Sequence, residues 1–97
     1  MATAVDNPPT ITSTPPATAR FGSTYLYQVI ATDPDADALT YSLPTEPAGM
    51  SIDPGTGLVS WKPTAGELGA NLVEVRVDDG RGGYATQTYS IGCSRFV

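Results

Sequence analysis

Proline and glycine interrupt this chain so often that long helices are excluded. Nine prolines and ten glycines are spread over 97 residues, and the longest stretch free of both is Ser23–Asp33. Each proline removes a backbone donor and clashes with the helical turn before it, while each interior glycine adds an entropic cost. The uninterrupted stretch is dominated by Tyr, Val, Ile and Thr, which suit a pleated strand. Short strands joined by tight turns are the architecture left open. Hydrophobic residues make up 40% of the chain, too many for a disordered tail. A chain of this length buries roughly 65% of the surface its unfolded form exposes, enough for one core. With no His and a single Cys, a Ser-His-Asp triad, a His- or Cys-based zinc site, an iron–sulfur site and an intrachain disulfide are all ruled out.

Alternation locates the strands. Thr10–Ser13 can pair briefly before Pro15-Pro16 breaks the ladder, as expected of a sheet edge. Tyr25–Thr32 reads as one strand with Tyr25, Tyr27, Val29 and Ala31 on one face. Leu39–Leu43, Met50–Ile52 and Leu58–Trp61 follow, and Val73, Val75 and Val77 alternate with Glu74 and Arg76. Ala85–Cys93 closes the series with Tyr89, Ile91 and Cys93 in register. Turn chemistry separates these runs at Asp33-Pro34, Pro44, Pro47-Ala48-Gly49, Asp53-Pro54-Gly55, Pro63 and Asp79-Gly80 through Gly82-Gly83. The expected fold is all-β, an immunoglobulin-like antiparallel Greek-key sandwich of about seven strands. Residues 10–93 form the sandwich, residues 1–9 a leading linker and residues 94–97 a tail.

The net charge of −5 is carried by two loops. Asp33, Asp35, Asp37, Asp78 and Asp79 lie in two short clusters, and the remaining acids equal the bases in number. No basic stripe is present to neutralise phosphates, so nucleic acid is not an expected partner. Attraction to anionic lipid is equally unexpected, and no apolar run approaches the ~20 residues that span a bilayer. The Met1 end has neither a basic region nor an apolar stretch, so no secretion signal is read there. The chain reads as a module of a longer protein.

Asp33-Pro34-Asp35-Ala36-Asp37 places carboxylates at a spacing of two, which suits a hard cation wrapped by oxygen ligands. An EF-hand is excluded, because Ala38 stands where its loop needs Gly and Pro44 where it needs a bidentate Glu. A sandwich offers a different completion. It brings the Asp33–Asp37 loop and the end of the Val73–Val77 strand, with Asp78 and Asp79, to one pole. Converging carboxylates repel, so either a cation neutralises them or the loops splay apart. The competing reading makes the aspartates turn-formers only, since Asp side chains hydrogen-bond nearby backbone.

These motifs resemble a known family. Asp33–Asp37 with Leu39–Leu43, Pro47–Ile52, Gly57–Thr64 and Val75–Gly80 with Gly82-Gly83 are similar, in this order and spacing, to dystroglycan-type cadherin-like domains and related bacterial immunoglobulin-like modules. The resemblance runs from about Asn7 to Cys93. It implies a cadherin-like sandwich with calcium at the junction between consecutive domains. Asp35 and Asp37 match the acidic pair after the second strand, Asp78 the Asp ending the penultimate strand, and Asn7 the arrival of an interdomain linker. The segment Trp61–Glu67 does not reproduce the family's acidic pair at the opposite pole, and Gly92–Val97 lacks an acidic linker. One weak calcium site, drawing on Asn7, Asp33, Asp35, Asp37, Asp78 and Asp79, is therefore expected.

Other residues have structural readings. Trp61 is expected in or at the edge of the core, and most tyrosines as core or cross-strand partners, although either could form a sugar-binding face. Cys93 is expected as a buried free thiol. Glu67 and Glu74 lie on a loop and an outward strand position with no cleft between them, so no enzyme is expected. The resulting expectation is a non-catalytic extracellular or cell-surface module, used in adhesion or as structure. Its partners would be neighbouring domains of a larger protein, with a further cell-surface protein or polysaccharide possible, and the isolated domain would be a monomer. A carbohydrate-binding module of a secreted hydrolase and an inert spacer are the alternatives.

Overall fold

The computed structural model describes residues 7–95. Most of the expected leading linker, residues 1–6, and the last two residues of the expected tail lie outside that range. Nine strands and one 3-10 turn follow in order: β1 Thr10–Ile11, β2 Thr18–Arg20, β3 Tyr25–Gln28, β4 Ala31–Thr32, β5 Thr40–Thr45, β6 Ser51–Ile52, β7 Leu58–Trp61, the turn Ala65–Glu67, β8 Gly69–Asp78 and β9 Tyr84–Ser94. One sheet has the order β2-β9-β8-β5 and the other β3-β7-β6, while β1 pairs with β4. All pairings are antiparallel except that of β2 with β9.

The alternation in the sequence becomes the core of this sandwich. Val73, Val75, Val77 and Ile91 of one sheet are completely buried, and Tyr25, Tyr27, Val59 and Trp61 of the other sheet, with Val29 just after β3, complete the cluster. Burying a side chain of this size contributes roughly 1.5–3 kcal/mol, so this one cluster dominates stability. Tyr25 meets Trp61 edge-on at 6.1 Å and Tyr27 meets Tyr89 at 5.9 Å, the edge-to-face geometry that ring quadrupoles favour. Cys93 is a buried free thiol, and burial, followed by the Glu67 charge, pushes its pKa up.

Three details depart from the sequence reading. Tyr25–Thr32 is two strands, because its backbone changes partner at Val29-Ile30. The Val29 N–H donates to Gly57 O at 3.0 Å, and the Ile30 N–H to Ser13 Oγ at 2.8 Å. Pro44 lies inside β5 and not in a turn; β5 is a sheet edge with a register shift between Ser42 and Thr45, where a missing donor is tolerated. The third is β2, which the sequence does not announce. It runs parallel to the end of β9, pairing Arg20 with Ser94, and carries the last ladder one residue past the expected Cys93 boundary.

Candidate functional site

The loop from β4 to β5 is shaped by its own first aspartate. Asp33 Oδ1 accepts the Asp35 N–H at 2.8 Å and the Asp37 N–H at 3.5 Å, and Asp33 O accepts the Ala36 N–H at 3.0 Å. The curl forces Ala36 into the left-handed region at φ 56°, uncommon for a residue with a Cβ. Its result is convergence: one carboxylate oxygen from each of Asp33, Asp35 and Asp37 lies within 4.8 Å of the others.

Asn7 closes this loop from the N-terminal side. Its backbone N–H donates to Asp35 Oδ2 at 2.8 Å and its side-chain amide to Asp35 Oδ1 at 3.4 Å. The opposite wall is the β8–β9 turn. Asp79 is 3% exposed, and its Oδ1 accepts the Arg81 N–H at 2.8 Å and the Gly83 N–H at 3.0 Å. That turn aims Arg81 across the gap, where Nε sits 3.0 Å from Asp37 Oδ1. The two acidic loops therefore share one pole, joined by an ion pair.

Asp37 carries the electrostatic tension. Its side chain is only 9% exposed. Loss of hydration raises its pKa above the ordinary carboxylate value; Arg81 opposes the rise, and the charges of Asp33, Asp35 and Asp79 add to it. Asp33 Oδ2 and Asp37 Oδ2 are buried with no hydrogen-bond partner among the described residues. The site is thus a hard, all-oxygen donor set with lone pairs to spare. Oxygens sharing a calcium ion at about 2.3–2.6 Å can lie at most about twice that distance apart, and the trio meets this limit. These residues fit the ion.

Asp78 stands apart. It lies on the outer face of β8, where its carboxylate takes both Nε and a terminal nitrogen of Arg76 at 3.0–3.1 Å. The same guanidinium covers the Tyr84 ring at 4.0 Å. Asp79 organises its own turn, as the turn-forming reading proposed, while contributing charge to the pole. Arg81 is the residue of this pole that the sequence reading missed. The run Asp79–Gly83 marks a turn, but nothing in its spacing says that the arginine at its tip crosses to Asp37.

The remaining candidates fall in structural places. Trp61 is 1% exposed, and Tyr25, Tyr27 and Tyr41 are buried, so no aromatic ladder faces outward on these strands. Glu67 Oε1 accepts from the Thr64 backbone and hydroxyl, and Glu74 pairs across the ladder with Thr88.

Comparison with known proteins agrees with the fold. The family model described as "Putative Ig domain" matches residues 8–93. The chain belongs to this family. The Ig domain is 36% identical over 70 residues to the integrin beta-like protein A of Dictyostelium discoideum, a match covering 67% of this chain and 4% of that protein. Among solved structures, it superposes on human protocadherin-24 EC1-2 with TM-score 0.68 at 19% identity, covering 89% of this chain and 44% of that one. It superposes on the endo-fucoidan hydrolase MfFcnA4 of glycoside hydrolase family 107 with TM-score 0.76 at 24% identity, covering 98% of this chain and 15% of that one. The Ig domain thus spans a small part of the curated relative and under half of each solved chain. At these identities the structural likenesses establish the fold. Among the described residues, no helix is long and apolar enough to cross a membrane.

Proposed function

We propose that this Ig domain is a non-catalytic, extracellular adhesion or structural module that takes calcium at its Asp33–Asp37 pole, where the chain arrives from a preceding segment. The observation that carries the reading is the convergence of Asp33, Asp35 and Asp37 within 4.8 Å, with Asn7 bound to Asp35. An ion there would be held by those three carboxylates, with Asp79 adding charge from the facing turn. Asp78 contributes only if it leaves Arg76. When bound, calcium supplies positive charge that relieves the repulsion among the carboxylates. The protein's own part is to hold the loop curled through Asp33 Oδ1 and to fix the arriving chain through Asn7. The motif order supports the finer dystroglycan-type assignment, and the extracellular location rests on the family and the integrin beta-like relative.

Thermal unfolding tests this reading. Calcium at millimolar concentration is expected to raise the melting temperature of the wild-type chain. The Asp35→Asn, Asp37→Asn double variant should lose the rise, and magnesium should do little, because it demands tight octahedral geometry. Equal responses of the two proteins would remove the site from this loop.

A second reading, a module within a carbohydrate-active protein, is favoured by the similarity to MfFcnA4, of which the matching region is 15%. In that reading the pole serves the junction with a catalytic neighbour, and calcium has the same role.

A further inference from the structure

The pole opposite the aspartates carries a second feature. A cavity of about 390 Å³ opens between β2 and β3, lined by Thr18, Arg20, Ser23 and Thr24 with Pro16 and Leu26 as apolar walls. Its volume falls within the range of small-ligand sites. Among the described residues, the Arg20 guanidinium enters no ion pair or side-chain hydrogen bond, and neither do the hydroxyls of Thr18, Ser23 and Thr24. These polar groups are therefore all uncommitted.

The surrounding charge is mainly positive, although the Glu67 carboxylate also acts on Cys93 at this end. Arg95 follows Ser94, the residue paired with Arg20. Lys62 follows Trp61, the partner of Tyr25, so continuing that register sets it opposite Thr24 in the lining. Neither Lys62 nor Arg95 has an ion-pair partner among the described residues. Three cations at one end of an otherwise acidic domain make a local positive field that attracts anions. A guanidinium presents a planar fork that matches a carboxylate or sulfate, while neighbouring hydroxyls can both donate to and accept from a polyol.

We infer that this hollow binds an anionic sugar residue, one bearing a sulfate ester or a uronic carboxylate. Arg20 takes the charged group, Thr18, Ser23 and Thr24 meet the sugar hydroxyls, and Leu26 and Pro16 lie against its apolar face. The site is independent of calcium and stands at the other end of the sandwich. Tyr25 also lines the hollow, but its hydroxyl is bonded to Pro16 O and its ring is turned to Trp61, so affinity rests on the charge and neutral sugars are excluded.

The test is an amide chemical-shift titration of the whole 15N-labelled chain in EDTA, which separates it from the calcium reading. The ligands are a galactoside 6-sulfate, galacturonic acid, uncharged methyl galactoside, sodium sulfate and poly-glutamate. At least one charged sugar should give saturable shifts at Thr18, Arg20, Ser23 and Thr24, with a dissociation constant on the order of 1 mM. Arg20→Gln should weaken that binding about tenfold at unchanged melting temperature, since a charge-assisted bond is lost. Arg20→Lys, keeping the charge without the fork, should fall between. The inference is overturned if neither charged sugar saturates by about 20 mM or if methyl galactoside shifts the same residues equally. It is also overturned if sodium sulfate or poly-glutamate binds there as tightly as the sugars, or if Arg20→Gln binds like wild type.

Discussion

Arg81 Nε lies 3.0 Å from Asp37 Oδ1 and so places a tethered cation on the edge of the acidic loop. The Arg81 side chain is 66% exposed although that of Asp37 is 9% exposed, and a pair with one partner in solvent is worth only modestly more than a surface pair. It nonetheless occupies a carboxylate oxygen that a metal ion would use. Arg81→Gln should therefore lower the calcium-free melting temperature and strengthen calcium binding about two- to fivefold. Isothermal titration checks this, and an unchanged or weaker affinity would show that Arg81 does not compete.

Asp37 gives the pH dependence its sign. Its folded pKa is raised, chiefly by lost hydration, so the folded state takes up a proton before the unfolded chain does. As pH falls from neutral through that raised value, calcium-free stability should increase. Asp53 acts in the opposite direction, because hydrogen bonds from the Gly55 and Thr56 backbone lower its pKa. Its contribution is present above the ordinary carboxylate value and is lost as pH falls through the lowered one. Asp37→Asn should raise the calcium-free melting temperature at neutral pH, remove the initial gain on acidification and abolish the calcium response. A carboxyl titration by NMR that places Asp37 at or below the ordinary value would contradict this.

Gly57 tests the packing. It sits at φ 79°, and a Cβ there would come within 2.9 Å of the Tyr41 ring. Gly22 shares the conformation, at φ 81°, but faces open space. Gly22→Ala should cost about 1–2 kcal/mol for the left-handed backbone alone. Gly57→Ala should cost about 1–3 kcal/mol more for overpacking. Denaturant unfolding of the pair isolates the Tyr41 contact, and equal losses would mean that the ring moves aside.

Val75 and Arg76 separate the two faces of β8. Val75→Ala should cost about 1–3 kcal/mol, since Val75 is completely buried. Arg76→Ala, although it breaks the pair with Asp78, should cost clearly less because that face is solvated. Similar losses at both positions would refute the alternation.

The particular elements show what was legible in the sequence. Leu58–Trp61 and the Val73, Val75, Val77 face could be read directly, because a period of two with one buried face specifies a strand locally. Strand β2 could not. Its three residues pair in parallel with Gly92–Ser94, so its partner lies at the far end of the chain and no local pattern records it. At the pole, the spacing of Asp33, Asp35 and Asp37 was visible, as was the meeting of two acidic loops. The division of labour was not. Asp78 is drawn to Arg76 and Arg81 to Asp37 by side-chain directions that only the assembled sheet defines.

The most direct test of the account is a calcium titration of the whole chain read at individual amides. It should give saturable shifts confined to Asn7, Asp33–Asp37 and the Asp79–Gly83 turn, with a dissociation constant of roughly 10⁻⁴–10⁻³ M. At ten times that constant the bound ion stabilises by about 1.4 kcal/mol, or roughly 4–8 °C of melting temperature. If about 5 mM calcium leaves those amides and the melting temperature unchanged, the aspartates are turn-formers and the calcium module is contradicted.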